Sequence, residues 1–214
     1  MLLEVLRNNI KKNSGWQYRK YIGLSQLNRG ACIRYLYYII MVNDMVRPGI
    51  NGLFKCRDGY LFENDIIKQL EEGGVKVEDR GKEIVPEEFG GLVRGHIDGR
   101  INGYLLEIKT MIDEKYQHIV QNGIPNHIYD QVNNYMHYMK FEEAIILIKN
   151  ITRGYYGEWR VRYNQSIAEM VIQKAQKVIR HIREKKLPER GFPPRSPICR
   201  NCLYQDKCEV GWNG

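Results

Sequence analysis

The stretch RGHIDGRINGYLLEIKT, Arg94 to Thr110, decides how this chain is read. Asn-Gly between two strand-like runs is the strongest short-range signal for a two-residue type I′ hairpin, so Asn102 and Gly103 become the turn and Ile101 pairs with Tyr104. Counting outward sets Asp98 opposite Glu107 and His96 opposite Lys109. Side chains alternate along a strand, so these four project from one face and Ile97, Leu106 and Ile108 from the other. Directly opposed Asp and Glu repel, yet two convergent carboxylates are what a hard divalent cation requires. A Lys two residues beyond the Glu stands beside such an ion, where it can stabilise a developing oxyanion or orient an attacking water. The spacing also admits a plainer reading, a solvated hairpin face with a favourable mixture of charges.

Around the hairpin the hydrophobic period changes twice. Before it, SQLNRGACIRYLYYIIMVND reads as a helix with Ser25 as a cap, and GYLFENDIIKQLEEGG as a helix stopped by Gly73 and Gly74. After those glycines VKVED, GLVRGHIDGRI, YLLEIKT, AIILIKN and EWRVRYN are strand candidates, interrupted by one helix, PNHIYDQVNNYMHYMK, that Pro125 opens. An amphipathic helix from Ser166 to Lys186 leads into the extended, Pro-rich LPERGFPPRSP, which delivers a cysteine cluster. No internal repeat or low-complexity tract interrupts this order.

The chain has 214 residues, enough to bury a core without metals or disulfides. Lys and Arg outnumber Asp and Glu by 33 to 25, a net charge of +8 that favours a polyanionic partner such as nucleic acid. The longest apolar run, Tyr35 to Val42, is far short of a membrane span, and the N-terminus lacks a leader pattern, so a cytoplasmic protein is expected with no membrane partner. Five cysteines are present, three of them as Cys-x2-Cys-x5-Cys at Cys199, Cys202 and Cys208. In a reducing compartment that spacing suits a thiolate site, for which zinc and a [4Fe–4S] cluster are both acceptable occupants. Many of the 15 tyrosines lie beside Arg or Lys, a pairing able to stack on unpaired bases and neutralise phosphate, although most should pack in the core or at its rim.

The pattern IDGRINGYLLEIKT resembles the core of the PD-(D/E)XK nuclease superfamily, in which an Asp and a Glu-x-Lys from adjacent strands form the cleavage site. Gln131 and Tyr135 in DQVNNY match the Gln-x-x-x-Tyr helix motif of its RecB-like branch, and their i, i+4 spacing places both on one helix face. LSQLNRGACIRYLYY is similar to the N-terminal Ser…Cys-x-Arg-x-Tyr segment of RecB-like nucleases with an iron–sulfur cluster, whose other three cysteines lie at the C-terminus. That group comprises AddB-type helicase-nuclease subunits and small stand-alone CRISPR-associated (Cas-four-like) exonucleases. A short chain without a motor resembles the latter or a viral relative.

The resemblance implies an α/β fold: a mixed central β-sheet flanked by helices, with terminal segments joined by a [4Fe–4S] cluster on Cys32, Cys199, Cys202 and Cys208. Cys56 is then a spare, partly buried thiol. One nuclease domain is expected over 1–214, with an N-terminal helical segment (1–58), a core (59–165) and a C-terminal helix with the cysteine cluster (166–214). Carried over by position, Asp98, Glu107 and the Ile108 carbonyl would bind Mg²⁺ or Mn²⁺, Lys109 would be catalytic, and Gln131 with Tyr135 would position DNA. Where many members carry a His on the helix before the sheet, this chain has Glu63, whose carboxylate can still ligate a divalent cation. His96 lies at no position the motif names; its case as a metal ligand rests on its place opposite Lys109, beside a reading as a rim or DNA-facing residue.

The implied activity is metal-dependent hydrolysis of DNA by an exonuclease acting on single strands, ends or overhangs, in the cytoplasm of a prokaryote or a virus-infected cell. Partners would be DNA, a CRISPR integrase or recombination proteins, and further copies of the chain. Two other classes stay open: a DNA- or partner-binding module with little cleavage, and a zinc-stapled RNA-processing nuclease.

Overall fold

A computed structural model describes residues 2–13, 19–42 and 49–210. Along the chain run α1 (Leu2–Asn13), β1 (Ile22–Gly23), α2 (Ile33–Met41), α3 (Ile50–Glu72), β2 (Glu83–Ile84), β3 (Val93–His96), β4 (Gly99–Ile101), β5 (Tyr104–Met111), α4 (Asp113–Asn122), α5 (Asn126–Met139), β6 (Glu143–Asn150), β7 (Tyr156–Arg162), α6 (Gln165–Arg183), α7 (Pro197–Arg200) and α8 (Gln205–Val210). The fold is α/β, with two small sheets flanked by helices. The larger sheet has the order β4-β5-β6-β7, and β5 and β6 run parallel while their neighbours are antiparallel. The smaller has the order β1-β3-β2.

The Asn-Gly turn forms as its chemistry demands. Asn102 and Gly103 both have positive φ, 49° and 85°, which a type I′ turn requires of its two central residues. Ile101 pairs with Tyr104, Arg100 with Leu105 and Gly99 with Leu106. There the ladder stops. The Ile97 backbone is taken by the tight turn at 79–82, donating to the Lys82 carbonyl (3.2 Å) while its own carbonyl accepts from the Gly81 N–H (3.0 Å). The Ile108 N–H donates to the Asp98 carboxylate at 2.6 Å.

This break corrects the expected register. The continuous strand GLVRGHIDGRI is two strands in two sheets, and His96 pairs with Glu83 of β2 rather than with Lys109. Ile97 is buried in the main core, while Leu106 and Ile108 pack with Ile66, Ile67 and Val77 in a separate cluster beneath α3. Each such buried side chain contributes roughly 1.5–3 kcal/mol, so α3 is held firmly to one face of the sheet.

Other expectations were met or missed for local reasons. The helix stopped by Gly73 and Gly74 is α3; Gly74 takes the left-handed conformation (φ 85°) that closes a helix. VKVED forms no strand and makes only a bridge from Glu78 to Arg100. Ser25 does not cap α2, which begins eight residues later at Ile33; Leu24–Gln26 is a single 3₁₀ turn. The end of that expected helix, Asn43 and Asp44, lies outside the described residues. Two helices, not one, separate β5 from β6, because DEKYQHIVQN forms α4 with Asp113 and Glu114 in its first turn. Among the described residues no helix is long and apolar enough to cross a membrane.

Candidate functional site

Strand alternation aims Glu107 and Lys109 away from α3 and toward α5, the helix opened at Pro125. On α5 the i, i+4 pair Gln131 and Tyr135 meets them. Gln131 Nε2 donates to Glu107 Oε1 at 2.7 Å, and Lys109 Nζ donates to Gln131 Oε1 at 3.3 Å. Lys109 Nζ also lies 2.5 Å from Glu107 Oε1. Tyr135 is buried beneath β3, where Gly95 leaves room for it: a Cβ there would stand 2.8 Å from the tyrosine ring.

The carboxylates form an under-compensated cluster. Burial, then the charges of Glu107 and Glu63, pushes the Asp98 carboxyl well above the usual carboxylate range, against the opposing Ile108 N–H and Lys109. Burial and Glu107 raise Glu63 as well, with Lys109 and Arg80 acting against them. Burial disfavours the Lys109 ammonium, but Glu107, Asp98 and Glu63 outweigh it and raise its pKa. Glu107 is 1% exposed, and its Oε2 is buried with no hydrogen-bond partner among the described residues. Such an acceptor costs about 1–3 kcal/mol, so a buried carboxylate oxygen within electrostatic reach of two other acids fits a cation as its missing partner.

Asp98, Glu107, Lys109, Gln131 and Tyr135 thus come together, with Glu63 within electrostatic reach. His96 does not join them: its ring is 3.8 Å from Glu83, nearly half exposed, because β3 has left the hairpin. Among the described residues no three His, Cys, Asp or Glu side chains converge tightly enough to hold a metal ion by themselves. The donor chemistry fits a divalent cation, and the carboxylates would draw together around it.

The remaining polar residues of DQVNNY are buried struts that sequence reasoning did not single out. Asp130 is fully buried and accepts from the Arg29 backbone N–H (2.7 Å) and Nε (3.0 Å), with Nη2 at 2.9 Å. Asn134 donates to the carbonyls of Leu24 (3.3 Å) and Leu27 (2.8 Å), and Asn133 accepts from the Asn164 N–H at 2.7 Å. Lys174 of α6 donates to the carbonyls of Asn28 (3.0 Å), Arg29 and Ala31 (3.1 Å). One helix therefore fixes the site, the 24–31 segment and the start of α6. The only sequence signal was a run of amides and acids inside an otherwise apolar helix pattern.

Cys32, Cys199, Cys202 and Cys208 line one cavity of about 460 Å³ between the start of α2 and the C-terminal segment. Arg34 reaches Cys208 Sγ at 3.6 Å, and burial pushes the Cys202 thiol up. The four thiols share a cavity without converging on a point. Cys56 is exposed rather than partly buried.

No protein-family model and no curated protein matches this chain. Solved structures do. The protein SSO0001 superposes with a TM-score of 0.58 at 17% identity, covering 97% of this chain and 96% of that one. The alkaline exonuclease LHK-Exo from Laribacter hongkongensis superposes at 0.55 and 11% identity, covering 91% and 95%. LHK-Exo in complex with dAMP gives 0.56 at 10% identity, covering 78% and 90%. At these identities the likeness is one of fold.

Proposed function

We propose that the chain is a metal-dependent DNA nuclease of the exonuclease type. The observation that carries this reading is the buried Oε2 of Glu107, without a hydrogen-bond partner among the described residues, within electrostatic reach of Asp98 and with Lys109 and Gln131 locked to the same carboxylate. The shared fold with alkaline exonuclease structures supports it. Asp98, Glu107 and the Ile108 carbonyl, with Glu63, would hold Mg²⁺ or Mn²⁺. A divalent cation bound there supplies Lewis-acid polarisation of the phosphodiester and lowers the pKa of a water.

The chain's own residues do the rest. Lys109 carries a fixed positive charge at the edge of the carboxylates, where it meets the charge that develops on a non-bridging phosphate oxygen. Gln131 holds both Lys109 and Glu107 by one amide, so the two cannot drift apart. Tyr135, locked beneath β3, sets the height of α5 over the strand. Lys109→Ala and Glu107→Ala should abolish cleavage of end-labelled DNA in Mn²⁺ under conditions where a melting curve shows each variant folded. Cleavage at the wild-type rate by either variant would overturn the assignment.

The four cysteines are proposed to hold a single thiolate centre, a [4Fe–4S] cluster, joining the start of α2 to the C-terminal segment. Their shared cavity supports this; zinc would use the same thiols. Anaerobically purified protein should be brown and contain iron and acid-labile sulfide. Colourless, zinc-containing protein would assign the centre to zinc.

A further inference from the structure

Of the three acids at the site, Glu63 is the one carried by a helix. Apolar burial fixes the second half of that helix through Ile66 and Ile67, but between Leu53 and Ile66 no residue of α3 is buried, and Tyr60 and Leu61 are 65% and 51% exposed. The packing therefore gives out at the turn 62–65 that holds Glu63. An acid at the end of an anchored segment needs other contacts to keep its place.

Two basic side chains supply them. Lys149 of β6 lies two residues beyond Leu147, which packs with Ile66 and Ile67, so it projects on the α3 side of the sheet. Its Nζ stands 5.4 Å from the centre of the Phe62 ring, 5.2 Å from that of Tyr156 and 3.8 Å from Asp65 Oδ2, and its side chain is only 17% exposed. Aromatic faces hold an ammonium shielded from water more firmly than an exposed one. Arg80 Nη2 donates to Asn64 Oδ1 at 3.1 Å, and Nη1 lies 3.8 Å from Glu71. Phe62, Asn64 and Asp65, the neighbours of Glu63, are thus each held by a basic side chain from outside the helix.

Each of the two is tied to a different acid. Arg80 sits in the turn at 79–82, whose Gly81 N–H and Lys82 carbonyl bond Ile97, the residue before Asp98. Lys149 pairs across the parallel ladder with Thr110, three residues beyond Glu107 on the same strand. Arg80 therefore sets Glu63 against Asp98, and Lys149 sets it against Glu107. The Arg80 charge also acts on Glu63 directly, joining Lys109 against the burial and the Glu107 charge that raise its pKa.

We infer that Lys149 and Arg80 are positioning residues, which hold the α3 turn so that the Glu63 carboxylate reaches the metal ion shared with Asp98 and Glu107. The inference rests on the reading of Glu63 as a ligand of that ion, and it adds how a helix-borne carboxylate is kept in range. Both residues act through Glu63.

The test titrates MnCl₂ calorimetrically into the full chain without DNA. Lys149→Met and Arg80→Met remove each charge and keep a flexible stem; melting curves in EDTA check that they fold, and Lys149→Gln and Arg80→Gln replace either that does not. Each should weaken Mn²⁺ binding about tenfold, the effect of losing a group that orients a metal ligand, while Lys149→Arg, which keeps a cation over the rings, should restore most of it. A general loosening of the fold would weaken binding in any background, whereas an effect exerted through Glu63 vanishes without it. In Glu63→Gln the same substitutions should therefore change Kd by less than about twofold. Unchanged affinity in Lys149→Met or Arg80→Met, wild-type affinity in Glu63→Gln, or an equal loss with and without Glu63 would overturn the inference. Wild type that binds Mn²⁺ through Glu63 as described but cuts no DNA would leave the positioning roles standing and remove the nuclease reading; wild type that binds no Mn²⁺ would remove both.

Discussion

Replacing Glu107 with Gln separates the two things its carboxylate does. Oε1 holds Lys109 at 2.5 Å and Gln131 at 2.7 Å, and Oε2 has no hydrogen-bond partner among the described residues. Breaking a fully buried ion pair costs about 3–5 kcal/mol, but the Lys109 side chain is 29% exposed and can recover water, so about 1–2 kcal/mol is the appropriate figure. For a chain of this size that corresponds to a fall in melting temperature of roughly 2–8 °C. Manganese works in the opposite direction. At free Mn²⁺ about a hundredfold above its Kd, the wild type should gain about 2.7 kcal/mol, or roughly 5–11 °C. Glu107→Gln should lose nearly all of that gain, because the amide offers no charge to the cation. Scanning fluorimetry with and without MnCl₂ reads both effects. A variant that melts like wild type in EDTA and still shows the full Mn²⁺ shift would refute the reasoning that the buried carboxylate is the cation's anchor.

Three further outcomes follow from the same geometry. Because burial and neighbouring acids raise the Asp98 and Glu63 pKa values above the usual carboxylate range, a cation must compete with protons for them; the Mn²⁺ shift should therefore shrink as the pH falls from neutral toward acid, and a pH-independent shift would place the cation elsewhere. Arg29→Ala should destabilise more than Asp130→Ala, by about 3–5 kcal/mol in urea melts, since the first leaves a fully buried carboxylate unpaired and the second frees an arginine that reaches solvent; the reverse order would contradict the strut. Gly95→Ala should cost about 1–3 kcal/mol and weaken cleavage through Tyr135, whereas an unchanged melting curve would mean that the ring is not seated there.

What the sequence disclosed and what it withheld follow the range of the interactions. The turn was legible because Asn102 and Gly103 carry its geometry in their own backbone preferences, and three ladder pairs followed from it. The pairing beyond Gly99 was not, because the Ile97 backbone bonds to a turn sixteen residues earlier that no local pattern announced. That one break moved His96 from the carboxylates to Glu83. Gln131 and Tyr135 were singled out by the resemblance to a Gln-x-x-x-Tyr helix motif, and their i, i+4 spacing placed both on one helix face, the side on which Gln131 meets Glu107. Asp130 and Lys174 were missed because their partners lie 101 and 143–146 residues away, and a buried acid in a helix looks like a surface one until its arginine is seen. The α4 helix escaped notice because its buried face is only Tyr116 and Ile119, too short a stripe to register as a period.

The most direct measurement incubates anaerobically purified protein with end-labelled single- and double-stranded DNA, with and without Mn²⁺, beside Lys109→Ala. Progressive shortening from one end, in the wild type and only with the metal, is the expected result. Intact DNA in every lane, or metal-independent cutting that survives the loss of Lys109, would contradict the claim that Asp98, Glu107 and Lys109 form a nuclease site.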